Sequence, residues 1–430
     1  MNSLTSMATH NEYTDSGISW LGSIPSHWEG APLCSVSKLK SITNHVDEPL
    51  LSVYLDKGVI RFDEVEAKRT NATSLDLSKY QLVEPGDFVL NNQQAWRGSV
   101  GVSAHRGIVS PAYLVLQLSS KIYPRFGNYL FRDGSMVANY LVNSKGVGTI
   151  QRNLYWPQLK RALVFFPGFD EQIAIANYLD EKTSQIDEAV VIKQKQIELL
   201  KERKQIIIQK AVTQGLKSNN VLVETDLIWA PQIASHWSLL PNRLFLKIRR
   251  VPVGSAHKNY QMLSLTKKGV LIRDLSKGAG KQSDFLERMQ EVRKGDFIFC
   301  LFDVEETPRT VGLSKHLGMI SADYTIFECS DEYTGRFLEY YYKSMDDQKL
   351  LKPLYKGLRN RIPKPRFLRT NCPMPPKGEL IEIVMYLDTL EEKTTRSIDI
   401  ILSQIEKLKE YKTTLINSAV TGKIKVTELV

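Results

Sequence analysis

One tryptophan-rich pattern occurs twice, and it constrains this chain more than any other feature. Trp20, Ile24, Ser26, His27 and Trp28 recur as Trp229, Ile233, Ser235, His236 and Trp237, an offset of 209. The chain has 6 tryptophans, so four of them fall in this pair. The same offset carries Gly86-Asp87-Phe88 onto Gly295-Asp296-Phe297, and Val109, Ser110 and Tyr113 are answered by Ile320, Ser321 and Tyr324 at an offset of 211. Tyr178–Thr213 matches Tyr386–Thr421 without gaps at an offset of 208, with 15 of 36 positions identical. Blocks in the same order at nearly one offset mean two copies of one unit. The copies differ between the Gly-Asp-Phe block and the long matched block. Asn91–Arg97 in one stands against Cys300–Glu306 in the other. A shared scaffold with a different surface suggests two readers of different targets.

The matched block is helical. Apolar residues fall at Ile175, Leu179, Ile186, Val190, Ile197, Leu200, Ile207 and Ala211, then at Ile383, Leu387, Leu390, Ile398, Ile401, Ile405, Leu408 and Leu415. These steps are sums of three and four, which give a coiled-coil-like stripe. Neither Pro nor Gly interrupts 172–214 or 379–421, and Gly215 and Gly422 follow as C-terminal caps would. A 36-residue helix spans about 54 Å, too long to bury one stripe on a small domain. The matching stripe is the expected partner. Antiparallel pairing would then put the heads at opposite ends. The alternative is docking of each helix elsewhere, including on another chain.

Each head is expected to be α+β. Gly86–Leu90, Gly295–Phe299, Val109–Leu118 and Met319–Glu328 have strand character, whereas Tyr129–Asn143 and Arg336–Leu350 have helical spacing. The expected order is a first head over 1–168, a long helix over 169–216, a second head over 217–377 and a second long helix over 378–430. The fold class is therefore α+β: two mixed heads separated by two long antiparallel helices, with an internal pseudo-twofold.

Charge narrows the function. Of the formal +10, residues 216–378 carry all the excess, with 27 basic against 17 acidic side chains. Residues 349–369 hold eight basic residues and no acidic one. A polyanion is the functional reading and a solvated face the plain one. Equivalent polar loops close the two heads: Ser144–Arg152 with Lys145, Thr149, Gln151 and Arg152, and Lys356–Arg361 with Lys356, Arg359, Asn360 and Arg361. Asn91, Gln93, Gln94 and Arg97 form a further cluster. Arg, Asn and Gln hold base edges bidentately and Lys neutralises phosphate, so these sets are the candidate DNA-binding residues.

No catalytic constellation stands out. No methyl-donor loop is followed by Asn-Pro-Pro-Tyr or Asp-Pro-Pro-Tyr. Gly278-Ala-Gly280-Lys281 lacks the first glycine and the final Ser or Thr of a phosphate loop, and is better explained as a turn. Asp87 could open a nuclease carboxylate set, but no Glu-x-Lys follows closely. The repeated His-Trp pair is better explained as a packed opening segment than as a site. The four cysteines are scattered without a Cys-x-x-Cys pair, so no metal ligand set is signalled. No apolar run approaches a membrane span and no signal peptide opens the chain, so cytoplasmic residence is expected.

Two segments carry a family resemblance. Ser16–Trp28 opens the chain. Phe169-Asp170-Glu171-Gln172-Ile173 runs into Tyr178-Leu179-Asp180 and ends at Ala211–Gly215, and the second copy supplies Pro375–Glu379 and Ala419–Lys423. With the repeat order, the chain resembles the specificity subunit of type I restriction–modification systems over essentially its whole length. One departure is Glu379-Leu380 where the first copy has Glu171-Gln172. The resemblance implies a non-catalytic subunit. Its two target-recognition domains each read half of a bipartite double-stranded DNA site. Its helices set the spacer and dock two methyltransferase subunits, and restriction–translocase subunits then join. Methyl donor, ATP and Mg²⁺ would belong to those partners, with no cofactor on this chain. The competing reading is a scaffold that binds proteins through its helices and no longer reads DNA.

Overall fold

The structure is a computed structural model that describes residues 8–55, 57–64, 76–146, 152–273, 286–357 and 360–426. Gly278–Lys281 lies outside the described residues. The chain forms two compact units, Met1–Lys193 with Ser403–Val430, and Gln194–Leu402. Each unit is one head with parts of both long helices.

The helices run Phe169–Gln214 and Lys377–Val420. They pair antiparallel inside each unit. In the first, Lys412 Nζ meets Asp187 at 2.7 Å and Lys193 Nζ meets Gln404 at 2.7 Å. Partner numbers fall as the first helix advances. In the second, Lys204 lies 3.9 Å from Glu391. These exposed pairs add little energy. The stripe supplies more: Ile186 packs with Leu415 and Ala419 in one core, and Ala211 and Val212 with Ile383 and Leu387 in the other. Gly215 and Gly422 take left-handed φ values of +81° and +69° and end the helices. The Glu379-Leu380 departure has a simple basis. Gln172 is buried and donates to the Lys121 and Pro167 carbonyls, whereas Leu380 is buried in apolar core. Both helices start within their first acidic turn regardless.

Every major strand pairing of the first head recurs in the second. The central antiparallel sheet runs Ser37–Lys40, Tyr113–Leu118, Asp87–Asn91, Val100–Val102, and the other runs Leu246–Arg249, Thr325–Cys329, Phe297–Phe299, Val311–Leu313. The expected strand over 109–118 is two, Gly107–Val109 and Tyr113–Leu118, split by a turn in which the Tyr113 N–H donates to the Ser110 carbonyl. The helical spacing over 129–143 likewise resolves into Pro124–Arg132 and Gly134–Val142. Asp133 separates them. Its backbone is extended, its carboxylate accepts from Ser135 N, and it also accepts from Asn417 on the second long helix. The second head has one helix there, Glu332–Asp347, capped by Asp331.

The Gly-Asp-Phe turns are structural. Asp87 is buried, accepting from Lys40 Nζ at 2.7 Å and Glu84 N at 2.8 Å. Asp296 does the same with the Arg249 guanidinium and Arg293 N. Their carboxylates are occupied inside the heads, where they hold the turn and a buried cation.

A second repeated detail gives a stability prediction. A Cβ on Gly107 would sit 2.4 Å from the Pro49 carbonyl oxygen and 2.7 Å from Leu51. On Gly318 it would sit 2.5 Å from the Gln261 oxygen and 2.7 Å from Leu263. Two chain segments cross at the same point in both copies. Gly107→Ala is expected to destabilise the protein by about 1–3 kcal/mol through overpacking. Gly134→Ala, in open space at a helix start, should cost nothing. Urea denaturation of the two variants checks this, and equal midpoints would count against the close crossing.

Candidate nucleic-acid interface

In the first head, the chain leaves the central strand at Asn91 and turns sharply. Asn91 Oδ1 accepts from Gln93 N at 3.2 Å, and its amide reaches the Tyr113 hydroxyl at 3.4 Å. Asn91 therefore shapes the turn as well as offering polar edges. A short 3₁₀ turn, Ala95–Arg97, follows. The Trp96 indole N–H donates to the Gln93 carbonyl at 3.0 Å, which fixes the ring in the loop. Gln93 and Arg97 are exposed and Gln94 half-buried.

The second expected loop lies beside the first. Ser144–Lys145 pairs antiparallel with Asn153–Leu154, making a small hairpin. Thr149 and Gln151 lie outside the described residues. Leu154 N donates to the Asn92 carbonyl at 3.1 Å and ties the hairpin to the loop. The Arg97 guanidinium stands 4.6 Å from the Trp96 ring centroid, and Arg152 stands 5.8 Å from the same ring. Lys145 Nζ lies 3.8 Å over Tyr155. Two residues sequence reasoning missed, Trp96 and Tyr155, thus sit under three cations it singled out. The scarcity of tryptophan was the available signal for Trp96. Among the described residues, no carboxylate forms an ion pair with Arg97, Lys145 or Arg152. Cations stacked on aromatic faces and free of carboxylates suit a polyanion with flat bases.

The second head repeats the scaffold with other side chains. Ile362 N donates to the Leu301 carbonyl at 2.8 Å, the counterpart of the Leu154–Asn92 tie. Lys356 N donates to the Arg361 carbonyl at 2.8 Å, closing the corresponding hairpin. Gly357 and Asn360 hold its turn at φ +82° and +42°. Lys356 and Arg361 are exposed and Asn360 half-buried, while Arg359 lies outside the described residues. Burial lowers the pKa of the Lys364 ammonium, and the nearby Arg250 and Arg361 cations push it further down. Three cations thus gather without a compensating carboxylate among those causes. Arg250 was not signalled, because it follows the Leu246–Arg249 strand and lies far from the hairpin in sequence. The preceding loop differs most: Lys349 Nζ is held by the Val304 and Thr307 carbonyls, and Lys352 pairs with Glu305. The basic run is partly spent on structure before it reaches solvent.

No family model matches the sequence. Solved structures do match it. A chain from work on complex assembly and conformational transition of the type I R-M system superposes with a TM-score of 0.63 at 13% identity, covering 93% of this chain and 99% of that one. The HsdS subunit from Thermoanaerobacter tengcongensis gives 0.54 at 14% identity, covering 96% and 100%. The chain has the HsdS fold. The likeness spans both heads and both helices, so it takes in the repeat as well as one shared domain. At this identity the side chains that would face a ligand are this chain's own.

Proposed function

We propose that this chain is the DNA-specificity subunit of a type I restriction–modification assembly. Residues 1–168 and 217–377 are the two recognition domains, and 169–216 and 378–430 the helical spacer segments. The observation that carries the reading is the repeated tie between hairpin and loop, Leu154 to Asn92 and Ile362 to Leu301. One scaffold presents Asn91, Gln93, Gln94, Arg97, Lys145 and Arg152 in one head and Lys356, Asn360 and Arg361 in the other. Two unlike readers on like scaffolds suit a site with two unlike halves. Hydrogen-bonding side chains would specify bases, and the cations would fix register on phosphate.

Docking of two methyltransferase subunits on the helices, with restriction–translocase subunits joining, is part of the same proposal. Val191 and Ile192 are 62% and 60% exposed on the first helix, and Met385 is 60% exposed on the second. Apolar side chains left in water on a helix fit a protein partner. Methyl transfer and cleavage then belong to those partners, in the cytoplasm. Among the described residues no helix is long and apolar enough to cross a membrane.

Titrating duplex binding against salt tests the reading. Each phosphate contact adds about 0.9 to the slope of log affinity against log salt. The free cations of the two heads should give a slope steeper than about −4. A flat titration would favour the scaffold reading.

A further inference from the structure

We propose that His10, His27 and Glu171 form a binding site for a zinc-class divalent transition metal. Their nearest ligand atoms, one from each residue, all lie within 4.8 Å of one another. His27 Nε2 is 3.0 Å from Glu171 Oε2, and His10 Nε2 is 3.9 Å from Glu171 Oε1. Tetrahedral zinc with bonds of about 2.0–2.2 Å needs ligand atoms ~3.3 Å apart. Rotation of the half-exposed His27 ring and a small shift of the Glu171 carboxylate toward His10 would bring the set to that spacing.

The decisive observation is His10. Its side chain is only 7% exposed, yet Nε2 has no hydrogen-bond partner. An unpaired buried nitrogen is costly, so it needs a reason. The ring's other nitrogen bonds the Ile424 carbonyl. A proton held there would leave the Nε2 lone pair free 3.9 Å from Glu171 Oε1, as a hydrogen bond at the other nitrogen does in metal-binding histidines. Glu171 is itself fixed by the Trp28 indole N–H at 3.3 Å. Two histidines and one carboxylate leave a fourth position open toward the exposed His27 side.

The second copy is an internal control. His236 meets Glu379 at 2.7 Å and the Trp237 indole donates to the same carboxylate at 3.2 Å. The strand pairing of Tyr13–Asp15 and its counterpart Leu222–Glu224 keeps the 209 offset, which puts Asn219 where His10 stands. The His-Trp-Glu clamp therefore works without a third ligand, and His10 is an addition to it. A bound ion would join three segments: the opening residues, the start of the first long helix, and, through Ile424, the stretch after the second. The Lys425 N–H bond to the Ala8 carbonyl and the Tyr13 hydroxyl bond to the Gly422 carbonyl already bring these together. On binding, His27 gives up any proton on Nε2 to solvent or carries it on Nδ1.

The test uses the untagged full chain, stripped with chelator and titrated with Co²⁺ and then Zn²⁺. Wild type should take up one equivalent of Co²⁺ with the visible absorption of a four-coordinate site, displaced by Zn²⁺. His10→Asn, which copies the second unit, should lose that equivalent while keeping its far-ultraviolet circular dichroism. His27→Ala should lose it too, and His236→Ala should retain it. A wild-type chain that binds no Co²⁺ or Zn²⁺, or a His10→Asn chain that binds as wild type does, overturns the site.

Discussion

Removing the three cations around Trp96 and Tyr155 together, as Arg97→Ala, Lys145→Ala and Arg152→Ala, is expected to weaken duplex binding at least about 100-fold. Each base or phosphate contact of this type contributes about 1–3 kcal/mol, and a tenfold loss corresponds to about 1.4 kcal/mol. The salt slope should flatten by roughly one per lost phosphate contact. The same variant should keep its denaturation midpoint. None of the three is in an ion pair with a described carboxylate, and their partners are the faces of exposed or half-buried rings. Loss of binding without loss of stability separates recognition from folding. Fluorescence anisotropy at one fixed salt concentration reads the effect, and a change below about threefold would move the interface elsewhere on the head.

The opposite pattern is expected at the Gly-Asp-Phe turn. Asp87→Ala should destabilise the protein by about 3–5 kcal/mol, the range for breaking a buried pair by removing one partner. The Lys40 side chain is 8% exposed and Asp87 5%. Asp87 also accepts from Glu84 N, so its loss leaves a backbone donor unpaired as well. Glu84 stays beside Lys40 at 2.6 Å, but it is 44% exposed and cannot replace a buried countercharge. Adding Lys40→Met to Asp87→Ala should recover much of the loss, because the buried charge goes with its partner. Denaturant unfolding of the single and double variants measures this coupling, and no recovery would mean that the backbone bond dominates. Burial opposes charging of Lys40, yet the hydrogen bonds it donates to Asp87 and Glu84 outweigh it and raise its pKa. The hydrogen bond and charge of Lys40 lower that of Glu84. A raised lysine stabilises below its unfolded value of about 10.4, and a lowered glutamate above its unfolded value of about 4.3. Their contribution is therefore full between those limits. It falls away at more alkaline pH as Lys40 deprotonates and at more acid pH as Glu84 protonates.

How legible this was in the sequence depended on how local the signal is. The long helices were readable almost to the residue, because a stripe with steps of three and four and a closing glycine are local signals. The uninterrupted runs 172–214 and 379–421 became Phe169–Gln214 and Lys377–Val420. The repeat also revealed which segments of the heads correspond. Strand pairing was less legible. Glu29–Pro32 holds a glycine and a proline and alternates weakly, yet it pairs with Leu163–Phe166, far away in sequence. Only tertiary structure selects such a partner. The candidate interface was half legible. Its polar residues stood out by type, but Trp96 and Tyr155 became meaningful only when the hairpin was placed on the loop. His10 gave no signal at all, because its neighbours His27, Glu171 and Ile424 come from three distant parts of the chain.

Replacing residues 1–168 with the corresponding head of another type I specificity chain tests the central claim most directly. The measurement is the DNA sequence selected from a random duplex pool by the full chain in complex with its methyltransferase subunits. Independent readers predict that one half of the selected sequence changes while the other half and the spacing between them persist. Selection that changes in both halves, or in neither, would contradict the account.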